Sequence, residues 1–187
     1  MKRFIPVLAL LPVLAAASAY VPKPFVRDVA HSRIDFLASS RLLDAQGTFD
    51  KWDAQIVFDH EKVENTSFVI TIDAKSINTR IGMRDDHLRS NDFFATDSFP
   101  TITFKSAFVN APSADRLNIT GDLTIRGRTK RVTIPARLVF FDAASGMGRV
   151  KGSTTIHRED YGVSFNPPVN PIESEVEIQF DVTFKGK

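Results

Sequence analysis

Val176-Glu177-Ile178-Gln179-Phe180-Asp181-Val182-Thr183-Phe184 puts an apolar side chain at every second position without a break. Successive side chains of an extended strand point to opposite faces, so this stretch reads as a half-buried β-strand with its odd-numbered neighbours in water. Working back along the chain, the same period recurs. Val150, Gly152, Thr154 and Ile156 oppose Arg149, Lys151, Ser153 and Thr155; Val132, Ile134, Ala136 and Leu138 oppose Arg131, Thr133 and Arg137. Leu117, Ile119, Leu123 and Ile125 form one face before them, as do Ile102 and Phe104, then Phe68, Ile70, Ile72 and Ala74. Ala54, Ile56 and Phe58, and finally Ile34, Phe36 and Ala38, complete eight strands. Turn residues separate them: Gly47, Gly121, Gly127, Gly146-Met147-Gly148 and Asn166-Pro167-Pro168. The period fails only between Ser76 and Phe99, where Ile81 and Leu88 stand seven apart around Arg84, Asp85, Asp86 and Arg89. That spacing predicts a short helical segment around residues 80–95, with Asn91-Asp92 capping a further turn before Phe93-Phe94.

The fold class is therefore all-β: an eight-stranded antiparallel barrel, in which closure removes the exposed edges. The polar faces carry Arg, Lys, Asp and Glu on nearly every strand, and Lys or Arg facing a bilayer midplane costs about 2–4 kcal/mol each. The apolar faces accordingly point inward, as in a lipocalin-like barrel, rather than outward as in an outer-membrane barrel. Phe36, Phe58, Ile72, Phe104, Ile119, Ile134 and Phe180 share the inward parity. Small residues (Ala38, Ala54, Ala74, Gly121, Ala136, Gly152) are mixed among them. Alternating large and small side chains fill a tapering barrel or leave a cavity, and periodicity leaves both open.

The N-terminus has its own signature. Met1-Lys2-Arg3, an apolar run from Phe4 to Ala17 and the ending Ala17-Ser18-Ala19 form a secretory signal peptide over residues 1–19. The run is too short to span a bilayer, and the expected mature protein, residues 20–187, is one domain in the periplasm. The chain has 24 Lys+Arg and 22 Asp+Glu. Without Lys2 and Arg3 the balance is 22 against 22, so no broad basic face for nucleic acid is implied. There is no Cys, so burial and sheet closure replace a disulfide framework.

Candidates for chemistry are few. His31 and Ser32 are strand neighbours whose side chains diverge, and no G-x-S-x-G occurs. His31, His60, His87 and His157 lack ligand spacing, so neither a catalytic residue, a metal nor a cofactor is expected. Arg84, Asp85 and Asp86 read as contacts that hold the helix across the barrel, and His31 as structural. Arg126, Arg128, Lys130 and Arg131 crowd one turn. They are either a solvated hairpin end or a cationic polar mouth (Arg126, Arg128, Lys130) that attracts an anionic head group or membrane surface.

Several stretches resemble the YceI-like family of exported lipocalin-like proteins. They are His31-Ser32-Arg33-Ile34-Asp35-Phe36, Gly47-Thr48-Phe49, Ser76-Ile77-Asn78-Thr79, Arg84-Asp85-Asp86-His87-Leu88-Arg89-Ser90 and Asp92-Phe93-Phe94. Phe99-Pro100-Thr101-Ile102-Thr103-Phe104-Lys105-Ser106, Gly121 to Lys130 and Ile156 to Val163 complete them in order. The resemblance implies a barrel whose cavity holds a long apolar amphiphile, a polyisoprenoid or quinone-like lipid, in a periplasmic monomer or homodimer linked to envelope stress. The inward parity of the strands then assigns the lining to Phe36, Ala38, Phe58, Ile70, Ile72, Ala74, Phe104, Ile119, Ile134, Ala136 and Phe180. Two departures stand out. Ser39-Ser40-Arg41-Leu42-Leu43-Asp44 lacks the His many members carry before the first glycine turn, so no head-group role for it carries over, and Arg131 stands where Pro is common. A solid-cored structural or partner-binding stress protein, and more remotely a small exported hydrolase, are the alternatives.

Overall fold

A computed structural model of the chain describes residues 24–186; the expected signal peptide and the start near Tyr20 lie outside them. The strands are β1 (Pro24–Arg27), β2 (Arg33–Ser40), β3 (Ala45–Phe49), β4 (Trp52–Val57), β5 (Ser67–Asp73) and β6 (Ile77–Asn78). After α1 (Gly82–Arg89) follow β7 (Thr101–Ser113), β8 (Arg116–Ile125), β9 (Arg128–Asp142), β10 (Met147–His157) and β11 (Ile172–Gly186). All pairings are antiparallel, and β1-β4-β5-β7-β8-β9-β10-β11 closes through β1–β11 into an eight-stranded barrel.

Three of the barrel's staves are interrupted. β1 and β2 both run antiparallel to β11, β1 beside Phe184–Gly186 and β2 beside Ile172–Asp181. In the break, His31 pairs with Asp28 at 3.2 Å. The Ser32 hydroxyl meanwhile donates to Thr183 O (3.1 Å) and accepts from Thr183 N (3.0 Å), so the ladder is carried across by a side chain. β3 and β4 break at Asp50-Lys51, and β5 and β6 at a 3-10 turn, Ala74–Ser76; the Ser76 carbonyl and hydroxyl accept from Asp50 N and Lys51 N and tie the two breaks together.

Two bulges shift the inward parity by one residue. Ser106 pairs with Gly121 and Phe108 with Thr120, leaving Ala107 as the extra residue; Val109, beyond it, is fully buried. Arg149 pairs with Phe140 and Val150 with Leu138, leaving Val139 extra. Val139 and Phe140 therefore face solvent while Leu138 and Phe141 pack inward. Phe141 closes one end of the barrel, 4.9 Å centroid to centroid from Phe58, with Phe25 and Phe184 5.3 Å apart beside them. The other end is crossed by α1.

The helix is shorter and less amphipathic than the sequence spacing suggests. Leu88 packs against the core, but Ile81 lies outside the helix and is exposed. Asn91-Asp92 caps nothing: Asp92 N meets Ser90 Oγ, and its carboxylate pairs with His87 Nε2 at 3.0 Å. Anchorage comes from polar contacts. Buried Asp85 accepts from Thr79 N (2.8 Å) and Thr79 Oγ1 (2.5 Å), Arg84 Nε donates to that hydroxyl (2.8 Å), and Arg89 donates to the Lys75 and Ile77 carbonyls.

Outside the barrel, Asp181 on β11 accepts a bidentate pair from Arg149 (2.8 and 2.7 Å) and lies 3.2 Å from Lys151 Nζ. The Arg149 hydrogen bond above all, then Lys151, holds its carboxyl below the usual 3.8, against the opposing effect of burial. A depressed folded-state value stabilises above the ordinary carboxylate range and is lost as pH falls through it. Asp181→Asn should cost about 1 kcal/mol at neutral pH. The difference in thermal midpoint between wild type and variant should hold down to about pH 4 and close below it, which a melting series against pH checks.

Candidate apolar cavity

The parity of the strands and the glycines within them leave the barrel hollow. A cavity of about 590 Å³ opens at the α1 end, within the range of cavities that bury most of a small organic ligand. Phe36, Ala38, Ile70, Ile72, Phe104, Ile119, Ile134 and Phe180 line it, together with Phe68, Leu123, Val150, Ile156 and Ile178.

Three residues expected in the lining are elsewhere. Phe58 is buried in the aromatic cluster of the closed end. Ala74 begins the 3-10 turn, where its amide donates to Pro100 O. Ala136 is paired with Leu117 and Gly152 and belongs to the packed layer toward the closed end. Parity alone assigns all three to the interior, correctly, but says nothing of their height along the barrel.

Space in the cavity depends on where four rings go. A Cβ built on Gly47 would lie 2.6 Å from Phe36 Cζ, on Gly121 2.6 Å from Phe104 Cζ, on Gly148 2.4 Å from Phe184 Cζ, and on Gly152 2.5 Å from Phe180 Cζ. Phe36–Gly47, Phe184–Gly148 and Phe180–Gly152 are directly cross-strand pairs, and Phe104 reaches Gly121 diagonally. Each ring lies down on the neighbouring strand instead of standing up into the lumen. Gly47, expected as a turn residue, sits inside β3 for this reason.

Irregular segments build the mouth, and strand periodicity could not reveal them. Leu43, Arg84, His87, Phe93, Phe165 and Pro167 surround the opening. His87 makes edge contacts with the Phe93 and Phe165 rings at 5.0 and 5.1 Å, and Phe94 stands on Phe49 at 6.2 Å. Two arginines frame the loops. Buried Arg158 donates to the carbonyls of Glu173, Val163, Phe165 and Ile172 at 2.8–3.0 Å. Arg126, in the positive-φ turn with Gly127, donates to the carbonyls of Phe93, Gly162 and Asn91 at 2.6–2.9 Å.

The expected cationic mouth is thereby altered. Arg126 spends its guanidinium on backbone, Lys130 lies 3.8 Å from Asp160, and Arg131 pairs bidentately with Asp122. Arg128 lies against Gly162 on the outer side, and none of these side chains lines the cavity. The polar groups that do reach it are chiefly Ser40, Arg84, His87 and Asn170 at the mouth, with Asp35, Thr154, Arg158 and Tyr161 elsewhere in the lining. The buried Tyr161 hydroxyl has no partner among the described residues; burial first, then Asp160, pushes its pKa up to about 12, so it stays a protonated donor. The other histidines are dispersed: His60 stacks near Phe141 and His157 meets Ser174.

Comparison with known proteins agrees with this architecture. The family model described as YceI-like domain matches residues 25–184. A UPF0312 protein of Pseudomonas aeruginosa is 37% identical over 139 residues, covering 73% of this chain and 71% of that protein. Burkholderia cenocepacia BcnA superposes with a TM-score of 0.78 at 26% identity over 84% of this chain and 98% of BcnA. A polyisoprenoid binding domain from Saccharophagus degradans shares the fold, with a TM-score of 0.70 at 16% identity over 89% of this chain and all (100%) of that domain.

Replacing Gly152 by Ala should swing the Phe180 ring into the lumen, shrink the cavity and cost about 1–3 kcal/mol. Phe180→Leu in the same chain should return the volume but only part of the stability, because the new Cβ also lies 2.8 Å from the Pro135 carbonyl. Crystal structures and denaturant melts of the single and double variants check this.

Proposed function

Because the chain belongs to the YceI-like domain family, we propose that it binds or carries an isoprenoid-like amphiphilic lipid, a polyisoprenoid or quinone, without catalysing a reaction. The observation that carries this is the hollow barrel itself, about 590 Å³ lined almost wholly by apolar side chains. The shared fold of the Saccharophagus polyisoprenoid binding domain supports the ligand class. Burying a CH₂ yields about 0.8 kcal/mol, so two five-carbon isoprene units offer roughly 8 kcal/mol before the costs of association. Affinity then comes from the tail, and the polar groups at the mouth meet the head.

The basic start, apolar run and Ala17-Ser18-Ala19 ending support a periplasmic site of action; the family resemblance is what suggests a part in the envelope stress response, as a monomer or homodimer. Intact mass of the protein from the envelope fraction should correspond to a chain beginning near Tyr20; a retained Met1 overturns that part.

Organic extraction of the purified protein followed by mass spectrometry should release a prenyl-chain lipid. Ala38→Phe, which fills the lining without touching the closed end, should lower the bound lipid at least tenfold while the fold survives. Lipid-free native protein that also fails to take up an added prenol overturns the reading.

A further inference from the structure

The mouth is ringed by apolar side chains that nothing among the described residues covers. Leu42, Leu43, Ile81, Met83 and Val169 are between 52% and 86% exposed. They come from three separate segments that meet at the opening: the β2–β3 turn, the approach to α1 and the loop before β11. Leu43, Arg84 and Pro167 from these segments all line the cavity mouth. The first and third are bolted together, since Leu42 N donates to Asn170 Oδ1 at 2.7 Å and Arg41 N to Pro171 O at 3.1 Å. The second reaches the same level because β6 runs antiparallel to β3, Asn78 beside Thr48, toward the turn.

Arginines stand among these residues. The segments read Arg41-Leu42-Leu43 and Arg80-Ile81-Gly82-Met83-Arg84. The Arg41 and Arg80 side chains have no ion-pair or hydrogen-bond partner among the described residues, and both are exposed. Of the nearby acids, Asp85 is buried against Thr79 and Asp86 pairs with Arg89, while exposed Asp44 accepts from Ser40 N. Arg80 is also held at φ 64°, a conformation rare for a residue with a side chain. A backbone kept there directly ahead of exposed Ile81 and Met83 is a cost the fold accepts without burying either.

From this juxtaposition we propose that the mouth rim is a docking surface for an anionic phospholipid bilayer. Leu42, Ile81, Met83 and Val169 enter the interface, Arg41 and Arg80 meet the phosphates, and the cavity opens directly onto the acyl region. An apolar rim flanked by unpaired cations matches the chemistry of such an interface. It is also continuous with an apolar lumen, so a lipid tail would pass between the two without crossing water. The role of the docking in lipid exchange rests on the lipid-binding reading above; the docking itself does not.

Flotation with vesicles of equimolar phosphatidylglycerol and phosphatidylethanolamine, against phosphatidylcholine alone, tests it. None of Leu42, Met83 or Val169 lines the cavity, so their joint replacement by Glu leaves the lumen intact. The wild type should float with the anionic vesicles far more than with neutral ones. The triple variant should lose at least tenfold in partitioning while binding an added prenol as before, and Arg41→Gln alone should lose about fivefold. Wild type that binds prenol yet stays in solution overturns the docking and leaves lipid binding standing. Flotation without any prenol uptake supports the docking while sinking the lipid reading. A wild-type dimer that the three glutamates turn into monomer assigns the rim to a second copy of the chain and overturns the proposal.

Discussion

Four phenylalanine rings rest on glycines of the neighbouring strand, and the open lumen depends on that contact. An eight-stranded barrel is narrow enough for its own side chains to fill. With alanine or anything larger opposite them, Phe36, Phe104, Phe180 and Phe184 would have to turn toward the axis, where the apolar volume would close over itself. The ring edge instead takes the place of the missing Cβ, 2.4–2.6 Å from where it would be. Phe36, Phe104 and Phe180 thus contribute wall area without filling the lumen, while Phe184 packs into the aromatic cluster of the closed end. Aromatic content, which in most small barrels signals a filled core, here accompanies a hollow one.

The mouth obeys a different logic. Arg126 and Arg158 are charged, but their work is geometric: a planar fork of donors reaches several carbonyls that irregular segments leave without ladder partners. Between them they hold the Asn91–Phe93 turn, the Gly162–Phe165 segment and the start of β11 in one frame. Lysine could not substitute at either place, because a single ammonium cannot span carbonyls that far apart in direction. Of the charges near residue 126, those from Arg128 to Arg131 stand on an exposed hairpin end, and Arg126 and Arg128 line a cleft that shares Phe165 with the mouth. Arg126 supports backbone, Lys130 and Arg131 lie beside Asp160 and Asp122, and Arg128 lies against Gly162.

What the sequence disclosed follows from which physical signals are local. Period-2 alternation is local, so all eight staves and their inward faces were legible, from Ile34-Phe36-Ala38 to the Val176–Phe184 run. Height along the barrel is not local, which is why Phe58, Ala74 and Ala136 had the right parity and the wrong neighbours. The bulges at Ala107 and Val139 shift parity by one residue and can be seen only against the partner strand. β1 was missed because four residues, Pro24–Arg27, are too few to show a period. Gly47 has the look of a turn in one dimension, and only the position of Phe36 across the ladder explains it. The mouth, made of loops and a helix of eight residues, had no period to read. Membership in the YceI-like family was carried instead by short motifs in a fixed order, whose spacing survives where periodicity fails.

The seam between β1 and β11 has a temporal meaning as well as a spatial one. It joins Phe25 to Gly186 and Arg27 to Phe184, nearly the greatest sequence separation the described chain offers; β2 meets β11 along the same seam. Every other stave pair is formed by segments close in sequence, so the meander can assemble strand by strand, while the final pairing must wait for the end of the chain. Until it forms, the apolar faces of β2 and β11 flank an open edge and no enclosed lumen exists. Cavity and barrel therefore come into being together, when that seam pairs. Anything held inside stabilises that closed state by mass action, so occupancy of the lumen sets how often the seam reopens.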